Sequence, residues 1–163
     1  MKRYIVFVFA GIMAAMMIGA CQTETDQQIE TRWAGETIEE IIGSIESQIG
    51  GFSATMVEVN YRYDELYWAG QDENWGYAEY QLDKLMGSME NGFIRRPDRE
   101  ASATQFMNQV SPSLAETIET GDKDAFVEQF NRFASSCNTC HQMEEVGFIQ
   151  VIIPEIRSTL VQF

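Results

Sequence analysis

Residues 122–141 read DKDAFVEQFNRFASSCNTCH. The large apolar side chains of this stretch recur at intervals of four and three residues, at Phe126, Phe130, Phe133 and Cys137. Side chains at those intervals share one face of an α-helix. The stretch therefore predicts a long helix that buries a row of aromatic rings against other helices.

The longest apolar stripe of the chain begins earlier, between Thr37 and Ala69. It keeps its helical phase across Gly50 and Gly51, although a glycine inside a helix costs about 1 kcal/mol relative to alanine. The unbroken phase predicts one long helix that is bent at the glycines. Its apolar positions are Ile38, Ile41, Ile45, Ile49, Phe52, Met56, Val59, Tyr63 and Leu66.

Two shorter stripes lie between these segments. The first follows a turn in which Asp72 and Asn74 are N-cap candidates, and it ends near Gly92. Its apolar positions are Trp75, Ala78, Leu82, Leu85, Met86 and Met89. The second has Asp98 as a cap candidate and contains Pro112, which predicts a kink or a split in the helix. Its apolar positions are Ala103, Phe106, Met107, Val110, Leu114 and Ile118.

Four helical segments with one apolar face each, joined by short loops, predict the fold class. It is an all-α, up-and-down antiparallel four-helix bundle. Residues 147–154 read GFIQVIIP, which is apolar, β-branched and followed by proline. This composition predicts an extended segment that covers the core rather than a fifth helix.

Composition limits the class of protein and its partners. The 163 residues include 45% hydrophobic and 12% aromatic side chains, which is enough for the core of a single domain. The formal net charge of −14 disfavours nucleic acid and bare anionic lipid as partners. A charged protein partner is expected to present a basic surface.

The N-terminus has the pattern of an export signal. Lys2 and Arg3 precede an uncharged run that ends in small residues. The sequence Ile18-Gly19-Ala20-Cys21 resembles a bacterial lipobox, which implies that Cys21 becomes the lipidated first residue. A plain cleaved signal and an uncleaved membrane anchor are the alternatives.

This resemblance divides the chain into three parts. Residues 1–20 are predicted to be a lipoprotein signal peptide, residues 21–35 a lipidated tether, and residues 36–163 the four-helix domain with its extended C-terminal tail. The expected location is the periplasm, with the lipid in the membrane. Gln22 after the cysteine resembles the pattern of lipoproteins sorted to the outer membrane.

The motif Cys137-Asn138-Thr139-Cys140-His141 is the attachment signature of a c-type haem. Two cysteines three residues apart lie on one side of a helical turn, where their sulfurs can reach the two vinyl groups of one porphyrin. His141 is four residues after Cys137 and lies on the same face, so that its Nε2 can bind the iron. The motif predicts one covalent haem c near the end of the last helix, with His141 as the metal ligand.

Three other uses of the motif are possible from sequence. A structural disulfide needs only Cys137 and Cys140. Structural zinc normally takes four side-chain ligands, and a carboxylate would have to complete the three that the motif offers. A thioredoxin-type pair should open a helix after a strand, whereas this pair closes a long amphipathic helix.

With this motif at the end of a four-helix bundle, the domain resembles the class II cytochromes c, the cytochrome c prime group. A closer resemblance is to uncharacterised exported haem proteins in which a histidine often occupies the position of Tyr63. Both likenesses imply an exported haem protein. The residues that carry the closer one, besides the CNTCH motif, are Leu66-Tyr67-Trp68-Ala69-Gly70, Asn74-Trp75, Tyr80-Gln81-Leu82 and Phe148-Ile149.

The chain has one histidine, which excludes a second imidazole ligand. The sixth iron position is then empty, or holds water or one of Met56, Met86 and Met89. The cytochrome c prime resemblance implies five-coordinate iron. Arg95 and Arg96 are candidates to pair the haem propionates, and the candidate pocket walls are Trp68, Trp75, Tyr80, Phe130 and Phe133.

These features predict a membrane-tethered one-electron carrier that is not an enzyme. The expected partner is a redox protein with a basic surface, and the rate of their reaction should fall with salt. The alternative is a haem protein that binds small gases such as nitric oxide or carbon monoxide. The stripe of the first helix could also support a homodimer.

Overall fold

The structure, a computed structural model, describes Gly35 and residues 37–158. The predicted signal peptide, the lipidation of Cys21 and most of the tether lie outside these residues. Within the described part, every regular element is helical. None of the described helices is both long and apolar enough to cross a membrane. The chain divides into two compact units, one that ends at Ile45 and one that begins at Glu46.

Helix α1 comprises Ile38–Ile49. It begins with a capping box, because the Glu40 N–H donates to Thr37 Oγ1 at 3.2 Å and the Thr37 N–H donates to Glu40 Oε2 at 3.1 Å. It ends before Gly50, whose φ of +75° is left-handed and stops an α-helix. The prediction of one unbroken helix from Thr37 to Ala69 is therefore wrong.

That prediction failed because the apolar stripes of two separate helices happen to share one helical phase. None of the described residues of α1 is buried, and Ile38 is 71% exposed. The next helix, α2, starts afresh at Phe52 and runs to Gln71. Its residues Tyr63, Leu66 and Ala69 belong to the core.

Helices α2 to α6 form the bundle. The remaining bounds are α3 Trp75–Arg95, a 3₁₀ turn Pro97–Arg99, α4 Glu100–Gln105, a π-helical segment Phe106–Val110, α5 Ser111–Thr120 and α6 Lys123–Met143. Helix α2 packs on α3 and α6, and α5 packs on the same two helices. This closed order, with a loop of three residues before α3 and one of two residues before α6, is the predicted four-helix arrangement. The fold class is confirmed.

Polar caps fix where two of the helices begin. Asn74 accepts a hydrogen bond from the Tyr77 N–H at 3.2 Å at the start of α3, and Asp122 accepts one from the Ala125 N–H at 3.0 Å at the start of α6. Asp98 caps nothing, because it lies inside the 3₁₀ turn. The prediction of a cap at Asp98 is wrong.

Pro112 distorts the third helical segment without breaking it. The proline lies in the first turn of α5, where its missing N–H costs least. The turn before it widens into the π-helical segment Phe106–Val110, because a proline ring cannot pack against a regular turn that precedes it. The predicted kink is therefore seen as a change of helical pitch.

The core of the bundle is a row of aromatic rings along α6. Phe126, Phe130 and Phe133 are fully buried. Tyr63 of α2 lies against Phe130, with ring centroids 4.8 Å apart, and Phe106 lies against Phe133 at 4.8 Å. Each such ring removes a large apolar surface from water, so this row supplies much of the hydrophobic stabilisation.

Helix α2 approaches α6 closely where Gly70 faces Phe126. A Cβ atom at Gly70 would overlap the Phe126 ring. Glycine is needed there because of this contact and not for backbone freedom. Gly87 of α3 has no neighbour within 4 Å of the position that a Cβ would take.

We predict that Gly70→Ala lowers the free energy of unfolding by about 1–3 kcal/mol, because the added methyl group overpacks the contact with Phe126. Gly87→Ala is the matched control. It should raise the same free energy by up to about 1 kcal/mol, since alanine favours helix and nothing obstructs it. Urea denaturation followed by circular dichroism measures both. Equal effects of the two substitutions would contradict the packing described here.

Candidate haem site

The three residues of the predicted site lie in the last two turns of α6. Cys137 and Cys140 are three residues apart on this continuous helix, and His141 follows one residue later. All three are partly exposed, and the two cysteines are free thiols. The helix therefore presents two sulfurs and one imidazole on a single face.

Cys137 is the more enclosed of the two cysteines. It packs against the core, one turn after Phe133. Burial raises the pKa of the Cys137 thiol to about 12, and the neighbouring Cys140 adds to the rise. A redox-active cysteine needs a lowered thiol pKa, so this environment disfavours the thioredoxin-type alternative.

Cys140 faces a different helix. Its sulfur lies 3.6 Å from the Ser102 hydroxyl of α4. Among the described residues, no group of three or more histidine, cysteine, aspartate or glutamate side chains is arranged to hold a metal ion. The two cysteines and the histidine of the motif are therefore not arranged there with a further ligand as a zinc site.

His141 is held by the backbone of the C-terminal tail. Its Nδ1 lies 2.8 Å from the carbonyl oxygen of Ile149. A carbonyl can only accept, so Nδ1 carries a proton, and in the neutral ring Nε2 keeps its lone pair. This is the tautomer that a histidine needs to bind a metal through Nε2.

Residues 150–155 of the tail form no helix and lie over the bundle, as predicted, whereas residues 147–149 lie in a turn closed by a hydrogen bond from the Ile149 N–H to the Val146 carbonyl. Tyr63 of α2 donates to the Ile152 carbonyl at 3.0 Å, and Val151 and Ile153 pack on the core. Asn138 makes two hydrogen bonds to the backbone of Val151. The tail thus covers the end of α6 that carries the motif.

The far end of the tail is fixed to the other end of α2. The Arg157 guanidinium donates to Asp72 Oδ1 at 2.6 Å and lies over the ring of Trp68. The same guanidinium lowers the pKa of the Asp72 carboxyl group. The Ser158 hydroxyl donates to Asp64 at 2.7 Å.

The predicted pocket walls lie at different heights along the bundle. Phe133 is one turn from Cys137, and Phe130 is one further turn away. Trp75 packs on Phe126, eleven residues before Cys137, which is about 16 Å along the helix. The structure therefore places Trp75 far from the motif.

The two remaining wall residues are also away from the motif. Trp68 donates its indole N–H to Asp64 Oδ1 at 3.2 Å and faces the tail's Arg157. Tyr80 is 47% exposed and stacks on Tyr77 near the start of α3. Neither ring packs against the end of α6.

The candidate methionine ligands are all on α2 and α3. Met89 is buried, and Met56 and Met86 are partly buried against the core. Met86 also lines two surface clefts, neither of which includes a residue of the motif. Met56 and Met89 lie in the first turns of α2 and the last turns of α3.

Arg95 and Arg96 differ in their surroundings. Arg95 Nη2 donates to the buried Thr55 Oγ1 at 2.5 Å, while its Nε atom is buried without a hydrogen-bond partner. Arg96 is exposed and donates to the Arg95 carbonyl. An unsatisfied buried guanidinium nitrogen is costly, and an anionic group such as a carboxylate would satisfy it.

These contacts test whether the residues fit a c-type haem. They do: two thiols and an imidazole share one helical face, His141 has the required tautomer, and Arg95 has a buried donor free for an acid group. Three contributors were missed by sequence reasoning, namely Ser102, Asn138 and the Ile149 carbonyl. The position of Asn138 inside the motif was the only signal of its role.

The chain is similar in sequence to a known haem protein. Cytochrome c' of Allochromatium vinosum is 27% identical over 156 residues, which cover 87% of this chain and 97% of the relative. The similarity supports a cytochrome c'-like class. No protein-family model matches the chain, and no solved structure matches it.

Proposed function

We propose that this chain is a c-type haem protein that carries one electron at a time on the periplasmic side of a membrane. The observation that carries the proposal is the hydrogen bond between His141 Nδ1 and the Ile149 carbonyl, which leaves Nε2 free in the CNTCH motif. The similarity to cytochrome c' over most of both chains supports the same class.

Each of the three chemically active motif residues has a role in binding the haem. Cys137 and Cys140 would hold one haem through thioether bonds, and His141 Nε2 would bind its iron. When bound, a haem supplies a one-electron ferric/ferrous couple. The buried rings of Phe106 and Phe133 exclude water from the core side, and Arg95 is the donor for a propionate.

The surface charge supports a carrier with a protein partner. At a formal net charge of −14, long-range attraction favours a redox protein with a basic surface. Beside the motif, the described side chains include no second histidine that could serve in acid–base catalysis. We therefore propose electron transfer rather than enzymatic turnover.

The membrane tether is part of the proposal. The lipobox-like Ile18-Gly19-Ala20-Cys21 supports lipidation of Cys21, and a tri-acylated terminus holds a protein stably at a membrane. The tether then keeps the haem domain in the periplasm, with the outer membrane as the proposed site.

Gas binding is the second candidate function. It is favoured by the single histidine, which leaves the distal side without an imidazole, and by the resemblance to the cytochrome c prime group. A vacant distal face would admit nitric oxide or carbon monoxide. The coordination of the iron separates this candidate from a carrier that has a methionine ligand.

We predict that the purified protein stains for haem after denaturing electrophoresis and that Cys137→Ala abolishes most of the covalent stain, because one thioether and its alignment are lost. Ser136→Ala, at the residue just before the motif, is the control and should stain like the wild type. A colourless protein with one bound zinc ion would end the haem proposal.

Lipidation is tested by metabolic labelling with a palmitate analogue in a bacterial host. The wild type should be labelled and recovered with membranes, and Cys21→Ser should be unlabelled and released. Cys137→Ala, which keeps Cys21, is the control and should be labelled. Equal labelling of the wild type and Cys21→Ser would rule out a lipid on this residue.

The ferrous spectrum is predicted to be that of five-coordinate, high-spin haem, with a broad Soret band and immediate binding of carbon monoxide. A methionine ligand would instead give a low-spin spectrum that resists the gas. In that case Met56→Ala or Met89→Ala should restore gas binding, and Met143→Ala, close to His141 in the chain, is the control. A low-spin spectrum lost in one of these variants would exclude gas binding as the primary function.

A further inference from the structure

We propose that Asn138, the residue after the first cysteine of the motif, positions the C-terminal tail so that the Ile149 carbonyl holds His141. Asn138 is thus a positioning residue that acts through the tail on the proposed iron ligand. The inference rests on the proposed function for the role of His141. The contact between Asn138 and the tail, called the clamp below, is a property of the polypeptide itself.

The clamp consists of two hydrogen bonds to one residue of the tail. Asn138 Nδ2 donates to the Val151 carbonyl at 2.8 Å, and the Val151 N–H donates to Asn138 Oδ1 at 2.8 Å. Both backbone groups of Val151 are satisfied by a single side chain. A carboxamide is suited to this because it offers a donor and an acceptor side by side.

The extended tail has no other partner for these groups. In the part of the chain that the structure describes, no strand lies beside residues 150–155. Val151 is partly buried against the core, and an unsatisfied backbone group there costs about 1–3 kcal/mol in proteins generally. Asn138 therefore takes the place of a neighbouring strand.

The clamp and the contact with His141 lie side by side. Asn138 and His141 are three residues apart on α6, about 4.5 Å along its axis. Their tail partners, Val151 and Ile149, are two residues apart, about 6.6 Å in an extended chain. The tail therefore runs back along α6, and fixing Val151 sets where the Ile149 carbonyl lies.

The effect on His141 is electronic as well as geometric. A hydrogen bond from Nδ1–H to a carbonyl makes the imidazole a stronger electron donor through Nε2. A stronger donor favours ferric over ferrous iron and lowers the reduction potential. Loss of the clamp should release the Ile149 carbonyl and raise that potential.

Tyr63 is the competing explanation for the position of the tail. Its hydroxyl donates to the Ile152 carbonyl at 3.0 Å, one residue beyond the clamp. If Tyr63 alone held the tail, changing Asn138 would free the Val151 amide but leave the Ile149 carbonyl and His141 undisturbed. The two explanations therefore predict different results for the same variant.

The test compares Asn138→Leu with Thr139→Ala in the haem-loaded protein. Leucine keeps the size of asparagine but removes both hydrogen bonds. Thr139 is the other residue between the cysteines, and its hydroxyl bonds only to the Ser135 carbonyl on the same helix. Asn138→Leu should speed hydrogen exchange of the Val151 amide by about tenfold or more and shift the reduction potential upward. Thr139→Ala should leave both values unchanged.

A second variant leaves the motif intact. Val151→Pro removes the N–H that Asn138 Oδ1 accepts, and proline is compatible with an extended chain. It should raise the reduction potential in the same direction as Asn138→Leu, and it decides the question if Asn138→Leu does not retain haem. An unchanged potential in a folded, haem-loaded Val151→Pro protein would overturn the inference. A wild type without haem would instead overturn the proposed function, and a protected Val151 amide in Asn138→Leu would refute the clamp alone.

Discussion

The burial of Phe126, Phe130 and Phe133 on one face of α6 governs the rest of the structure. These three rings occupy the centre of the bundle, so helices α2, α3 and α5 must pack around them. The glycine at position 70 allows α2 to approach Phe126 closely. Because the buried face of α6 is fixed over this length, the direction of its last two turns is fixed as well. The motif is therefore presented by a rigid element rather than by a loop.

Periodicity was a reliable guide where burial creates it. The stripe through Phe126 and Phe133 correctly predicted α6, because every residue of that stripe packs in the core. The stripe through Ile38 and Ile49 has the same spacing, yet none of its residues is buried. Spacing specifies a helical face but not what covers that face. The left-handed backbone at Gly50 then separates the two helices at a point where phase alone indicated continuity.

The sequence predicted the haem-binding residues of the candidate site but not the hydrogen bonds that hold them in place. The haem-attachment motif CNTCH consists of five consecutive residues, so Cys137, Cys140 and His141 could be identified from the sequence alone. The support of His141 comes from a backbone carbonyl, which no residue type encodes. The partner of Asn138 lies 13 residues away, across a turn that includes Glu145 at a positive φ. Such contacts depend on the path of the tail, and the sequence pattern predicted only that the tail is extended.

The path of the tail also bears on how the protein folds. The pairs α2 with α3 and α5 with α6 are joined by short turns and make local contacts, which form quickly. The tail instead joins residues far apart in the chain: Tyr63 with Ile152, and Asp64 with Ser158, which are 94 positions apart. Closing such long loops costs chain entropy before any contact compensates for it. Local contacts therefore favour assembly of the helices before the tail docks, and His141 stays exposed until residues 149–158 reach the bundle.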